Sequence, residues 1–310
     1  MSLMPPSPPE PIEYRSGVLR LTLMGPPADL APYISGYYRT EIAEGEMVED
    51  CLPPEEANIR TGKAEIYEAA IGSGERENVP PAIISGPTDR ITQLRIGHGT
   101  FWGVGLTPAG WARFIRVPAS DMANAFTDIH GSAAPPSLAA MLDALREDSP
   151  DCSSAWRLIT ETFRALPGQP HEAESTIREV HRRILAPDAA TAAELARESG
   201  MKSRTFERFC KRHFGFTPRA LVRRQRFLRS LGKYMLDPSM RWISSLDTNY
   251  SDQPHFIHEF RAVMGMTPSE YAAMPHPVSA AAVAVTNSNA GVAMQALYDP
   301  ENRRRGESRV

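Results

Sequence analysis

Two stretches, "FERFCKRHFGFTP" at 206–218 and "FIHEFRAVMGMTP" at 256–268, decide the reading of this chain. They share Phe206/Phe256, Gly215/Gly265, Thr217/Thr267 and Pro218/Pro268, and Lys211/Arg261 match in charge. One small unit is therefore present twice. In each copy a periodic apolar stripe runs into Gly and then Thr-Pro. That order is expected where one helix stops in a left-handed residue and the next begins with proline in its first turn.

Around each stripe stand the signals of a helix-turn-helix. In the first unit Leu195, Ala196 and Ser199 end a short amphipathic helix entered from Thr191, Gly200 supplies the turn, and Ser203 is expected to cap the next helix. Phe206, Phe209, Cys210 and His213 recur at helical spacing and go to a core, leaving Arg204, Glu207, Arg208 and Lys211 outside. In the second unit Ile243 and Leu246 form the first helix's apolar side, and Ser251 or Asp252 caps the next helix. Pro254 falls in that helix's tolerant first turn, and Phe256, Phe260 and Met264 are its buried stripe. Glu259 is expected to point away from His255 and His258. "RALVRRQRFLRSLGKYMLD" (219–237) connects the units, with Leu221, Leu228, Leu231 and Met235 on one side and arginines on the other. As a helix it spans about 27 Å, near the roughly 34 Å between successive major-groove faces of B-DNA.

The formal net charge of −3 hides an asymmetry. From Arg197 to Lys233 there are twelve basic residues against Glu198 and Glu207, a local charge of +10 that leaves −13 on the rest. Such a block is the footprint expected of a polyanion binder; an ordinary solvated basic face is the plainer alternative.

From about Thr191 to Tyr271 these residues resemble the AraC/XylS family of bacterial transcription regulators, in "AELARESGMKSRTFERF", "YSDQPHF" and "FRAVMGMTPSEY". The resemblance implies an all-α DNA-binding domain of two helix-turn-helix motifs joined by a long helix. The chain departs from the family at Cys210 (usually Phe), Ser245 (Ala), Asn249 (Gly) and His258 (commonly Arg). His258 bears most on function, because a partly neutral imidazole replaces a permanent cation. Double-stranded DNA is the expected partner. Ser203, Arg204, Arg208 and Lys211 are the expected contacts of the first recognition helix, and Gln253, His255 and His258 those of the second. Arg212, Arg223, Arg226 and Arg261 are expected on phosphates.

Two other readings of His255 and His258 are weaker. No third or fourth ligand follows at zinc spacing, neither HExxH nor HxxEH occurs, and no nucleophile elbow accompanies a catalytic histidine.

The N-terminal part is expected to be β-rich, a small barrel or sandwich. Its strands are "GVLRLTLM" (17–24), "YISGYYRTEI" (33–42), "AEIYEAAI" (64–71), "PAIISGP" (81–87), "RITQLRIG" (90–97) and "FWGVGLTP" (101–108), with "AGWARFIR" (109–116) as a helix. "GHGTFWGVG" lacks the Lys-Ser/Thr of a phosphate loop and reads as turns. The resemblance implies a sensor domain here. Tyr37, Tyr38, Arg60, Trp102 and Trp111 are candidates for an effector pocket, with aromatic core and a solvated arginine as the plainer alternative. Two helical stripes follow, Leu138, Met141, Leu142 and Leu145, then Trp156, Ile159 and Phe163; they pack inside or make a homodimer.

The expected fold class is α+β multidomain. The divisions are a disordered Pro-rich start (1–15), a β-rich sensor or oligomerisation domain (16–135), a helical linker (136–186), the DNA-binding domain (187–276) and a disordered tail (277–310).

Bulk properties agree with a globular protein: 310 residues, 42% hydrophobic and 23% charged. The absence of a membrane-spanning run or a signal peptide leads to a cytoplasmic expectation. Cys51, Cys152 and Cys210 are too scattered for a disulfide framework or zinc cluster, and no cofactor is expected. The function expected is a sequence-specific regulator working with RNA polymerase under a small-molecule effector. The alternatives are a DNA-tethered enzyme, for which "EDCLPPEE" around Cys51 is an unpromising setting, and a non-specific architectural binder.

Overall fold

The computed structural model describes residues 10–166, 171–186, 190–236 and 253–290. Among the described residues nine strands make one antiparallel sheet. They are β1 (Ile12–Ser16), β2 (Leu19–Met24), β3 (Ile34–Leu52), β4 (Ala57–Ala64), β5 (Tyr67–Ile71), β6 (Glu77–Asn78), β7 (Ala82–Ser85), β8 (Thr92–Leu106) and β9 (Phe126–Asp128). The order is β1-β2-β3-β8-β4-β7-β9, with β5 beside β8 and β6 beside β5. This is one open sheet, where a closed barrel or two-sheet sandwich was expected. Strand β1 begins at Ile12 and pairs with β2, so order reaches into the span read as a disordered start.

The segments "RITQLRIG" and "FWGVGLTP" are a single strand, β8, running through the glycines read as turns. Gly103 explains why. A Cβ there would lie 2.0 Å from Cζ of Tyr38, so the bare backbone makes room for that ring across the sheet. Strand β4 was largely missed, because "ANIRTGKA" is buried on both faces and does not alternate cleanly.

One face of the sheet carries Tyr37, Ile59, Trp102, Val104 and Leu106 into the main core. Three helices cover it: α2 (Pro136–Asp148), α3 (Cys152–Ala165) and α4 (Glu174–Leu185). The short α1 (Pro108–Gly110) runs on into a wide π-type turn, Trp111–Ile115, where a regular helix was expected. Both expected stripes, Leu138 to Leu145 and Trp156 to Phe163, are buried in this core, which favours interior packing over a dimer face. Trp156 Nε1 donates to the Gly25 carbonyl at 2.9 Å, and Arg164 grips Asp29 through two bonds of 2.8 and 2.9 Å.

The C-terminal half is helical: α5 (Ala192–Glu198), α6 (Ser203–Phe214), α7 (Pro218–Leu236), α8 (Gln253–Met264), α9 (Pro268–Ala272) and α10 (Pro277–Ala290). Of the tail expected to be disordered (277–310), residues 277–290 form α10, which lies against β1, β2 and β3 and places Ala281 and Val283 in buried positions, and 291–310 lie outside the described residues. Its cap comes from the other end of the fold. The side chain of Asp50 on β3 accepts from the backbone N–H of Val278 (2.9 Å), Ser279 (2.8 Å) and Cys51 (2.6 Å). The main core continues from the sheet into α6 and α7 through Phe206, Cys210, Phe214 and Leu221, so the two halves share a hydrophobic interior.

Candidate nucleic-acid interface

The first unit is built by local signals that agree with one another. Thr191 and Glu194 form a reciprocal capping box at α5, and Gly200 turns the chain at φ +69°. Helix α6 starts one residue earlier than expected: Lys202, in extended conformation, occupies the cap position without a side-chain bond, and Ser203 is the first helical residue. Phe206, Cys210, His213 and Phe214 are buried, while Ser203, Arg204, Glu207, Arg208, Lys211 and Arg212 are exposed. All four expected contacts of this helix therefore lie on its solvent side. Lys211 Nζ sits 2.8 Å from Glu207 Oε1, and that ammonium holds the carboxyl below its ordinary range. Burial, with His171 and Arg212 nearby, pushes the His213 imidazole down to about 4.

The connector α7 sorts its cations. Leu221, Phe227, Leu228 and Leu231 are buried, and Arg219, Arg223 and Lys233 are exposed. Arg224 is buried and donates to the carbonyls of Thr88 (3.0 Å) and Glu55 (3.4 Å) in the β-rich half. Arg229 donates to the Ala186 and Ile184 carbonyls at 3.1 and 3.3 Å. Arg226, expected on phosphate, instead reaches Glu259 at 3.2 Å. Nine of the twelve basic residues between 197 and 233 remain exposed, so the positive face survives.

In the second unit Phe256, Phe260, Val263 and Met264 are buried against Phe227 and Tyr271. Pro254, His258 and Arg261 are exposed. His255 is half-exposed, with Nε2 3.8 Å from the Glu259 carboxylate, so the expectation that Glu259 points elsewhere is corrected. The stripe itself held the signal, since Glu259 falls at helical spacing between Phe256 and Val263. The expected roles of Ile243, Ser245, Leu246, Asn249, Ser251 and Asp252, and the side chain of Gln253, lie outside the described residues. Among the described residues no group of three or more His, Cys, Asp or Glu side chains is placed to hold a metal ion.

The candidate pocket aromatics lie in the core of the β-rich half. Tyr37, Trp102 and Trp111 are at most 1% exposed within the main cluster. Arg60, read as solvated, donates from Nε to the Tyr38 hydroxyl at 2.5 Å and pairs with Glu55 at 2.6 Å. Cys51 is buried, and burial followed by the neighbouring Asp50 raises its thiol, the opposite of what a nucleophile needs. No described helix is long and apolar enough to cross a membrane.

The helix-turn-helix of α5 and α6, the left-handed glycines Gly215 (φ +84°) and Gly265 (φ +68°) that end α6 and α8 alike, and a basic outer face define a helix-turn-helix protein. Residues 195–274 match the family described as "Helix-turn-helix domain". Residues 23–128 match a second family, described as a domain of unknown function (DUF6597). No curated protein matches the chain. Among solved structures it is similar to ToxT from Vibrio cholerae O395, at 10% identity over 76% of this chain and 95% of that one, TM-score 0.38. Unsaturated fatty acid bound ToxT from Vibrio cholerae strain SCE256 is similar at 8% identity, covering 74% and 91%, TM-score 0.38. The AraC-like transcriptional activator CuxR is similar at 12% identity, covering 69% and 81%, TM-score 0.28.

Proposed function

We propose that the chain is a sequence-specific, cytoplasmic DNA-binding transcription regulator that lays α6 and α8 into adjacent major grooves. The observation that carries this reading is the division of α6: its apolar stripe is buried while Ser203, Arg204, Arg208 and Lys211 face outward together. Arginine bidentate to guanine is the commonest specific base contact, so Arg204 and Arg208 are the base readers. Lys211 flanks them. Arg212, Arg223 and Arg261, also exposed, hold phosphates and set position. His258, with His255 and Gln253 beside it, reads from α8. Arg226 is withdrawn from the phosphate set in favour of Glu259.

Regulation through the β-rich half, by an effector or a partner such as RNA polymerase, is the second part of the proposal. Arg224 supports it, because a cation in the middle of the connector is bonded to two carbonyls of that half. An enzymatic role for Cys51 is disfavoured by its buried, raised thiol. Selection from a pool of randomised duplexes tests the reading. Enrichment of a bipartite sequence, with half-sites one helical turn apart, is the expected result. A pool that stays random after repeated rounds overturns it.

A further inference from the structure

We infer that the loop 86–91, between β7 and β8, is a splint that fixes the two helix-turn-helix units relative to each other. Asp89 and Asn124, which lock that loop, are then positioning residues for the spacing of the two DNA half-sites. The inference rests on the DNA-binding reading above and adds to it where the spacing is set.

The loop meets both units and the helix between them. The Pro87 ring lies against Gly215, the left-handed residue that ends α6; a Cβ on that glycine would fall 2.7 Å from Pro87 Cγ. The Thr88 carbonyl accepts from Arg224 Nη1 of the connector at 3.0 Å. Ile91 donates its backbone N–H to the Val263 carbonyl, in the last turn of α8, at 3.0 Å. The Ile91 side chain joins the core of the second unit with Phe227, Phe256 and Phe260.

A splint must be stiff, and this loop is cross-bonded. Asn124 Nδ2 donates to Asp89 Oδ1 at 2.8 Å, and Asp89 N donates back to Asn124 Oδ1 at 2.9 Å. Asn124 N donates to the Pro87 carbonyl at 3.0 Å, Thr88 N to the Glu55 carbonyl at 2.9 Å, and Glu55 N to Thr88 Oγ1 at 2.8 Å. Asn124 holds φ +56°, a conformation asparagine tolerates better than most residues. With its polar groups bonded in this way the loop moves with the sheet, so its two ends cannot shift independently. Reading two grooves at once requires that fixity, since each base pair added between half-sites rotates one by about 35° against the other.

The test uses the full chain with Asn124→Gly, which keeps the positive φ and deletes both side-chain bonds, and with Asp89→Ala, which breaks the lock from the other side. Hydrogen exchange without DNA is measured first. Amides of 256–264 and 206–214 are expected to exchange about tenfold faster in both variants. Unchanged exchange in both overturns the inference whatever the chain binds. Anisotropy then uses the duplex selected by the wild type and the same duplex with one, two or three base pairs inserted between the half-sites. The preference for the original spacing is expected to fall about fivefold or more in the variants. A preserved preference overturns the splint. If the wild type does not distinguish the selected duplex from a shuffled one, the DNA-binding reading fails, while the exchange result still decides whether the loop holds both units. Should circular dichroism find both variants unfolded, the lock serves the fold and the positioning role is overturned.

Discussion

Arg226 on the connector and Glu259 on the second recognition helix form an ion pair at 3.2 Å, with the Glu259 side chain only 4% exposed. The pair ties α7 to α8 beside the ring cluster of Phe227, Phe256 and Phe260. A carboxylate so enclosed is costly to strip of a partner, and the arginine is the more accessible of the two. Arg226→Ala is therefore expected to destabilise the protein by about 2 kcal/mol, and Glu259→Gln by less, because the amide still accepts a hydrogen bond. Chemical denaturation of the two variants checks the order.

The ion pair also marks how far the sequence could be read. The double unit was legible because its signals are local: Thr191 with Glu194, Gly200, Gly215 and Gly265 each act within a turn of their own helix. What escaped depends on partners distant in sequence. Arg226 looks like any connector arginine until Glu259 arrives 33 positions later, and Arg224 until Thr88 and Glu55 pack against it. Strand β8 was split because its glycines answer to neighbours distant in sequence: Gly97 to Ile66, Gly99 to Lys63 and Ala64, and Gly103 to Tyr38. Helix α10 was missed for the same reason, since its cap, Asp50, stands 228 residues before Val278.

The exposed arginines should divide by role. Arg208→Ala is expected to cost about 1–3 kcal/mol of specific binding and to relax preference at one base pair. Arg223→Ala is expected to weaken all duplexes alike and to lower the salt slope by about one. Titrations on the selected duplex and its single-base variants separate these outcomes.

Gly103 tests the sheet. Adding a Cβ forces the Tyr38 ring from its place across the strand, and with it the Arg60 bond. Gly103→Ala is expected to destabilise by about 1–3 kcal/mol, the usual cost of overpacking. Gly103→Ala combined with Tyr38→Ala should recover part of that loss in thermal melts.

The cross-domain cap gives a prediction at the C-terminus. Asp50→Ala removes the acceptor of the half-buried Val278 and the buried Ser279 N–H groups near β3. Faster proteolysis within 277–290 is expected, with a loss of about 2 kcal/mol in stability.

His213 sets a pH dependence. Its imidazole titrates at about 4 in the folded chain against an ordinary 6.5, so between those values the unfolded chain binds the extra proton. Its share of stability is thus complete above pH 6.5 and is lost progressively as pH falls toward about 4. His213→Phe should flatten the stability profile across that window, measured by denaturation at each pH.

Sequence-specific recognition is measured by fluorescence anisotropy of the full chain with the selected duplex and with a shuffled duplex, over a series of salt concentrations. Both affinities are expected to fall as salt rises, because cations on α6 and α7 displace counterions from phosphates, while the selected duplex keeps an advantage of about a thousandfold or more. Equal affinity for the two duplexes at every salt concentration would contradict it, and would leave the basic face without sequence to read.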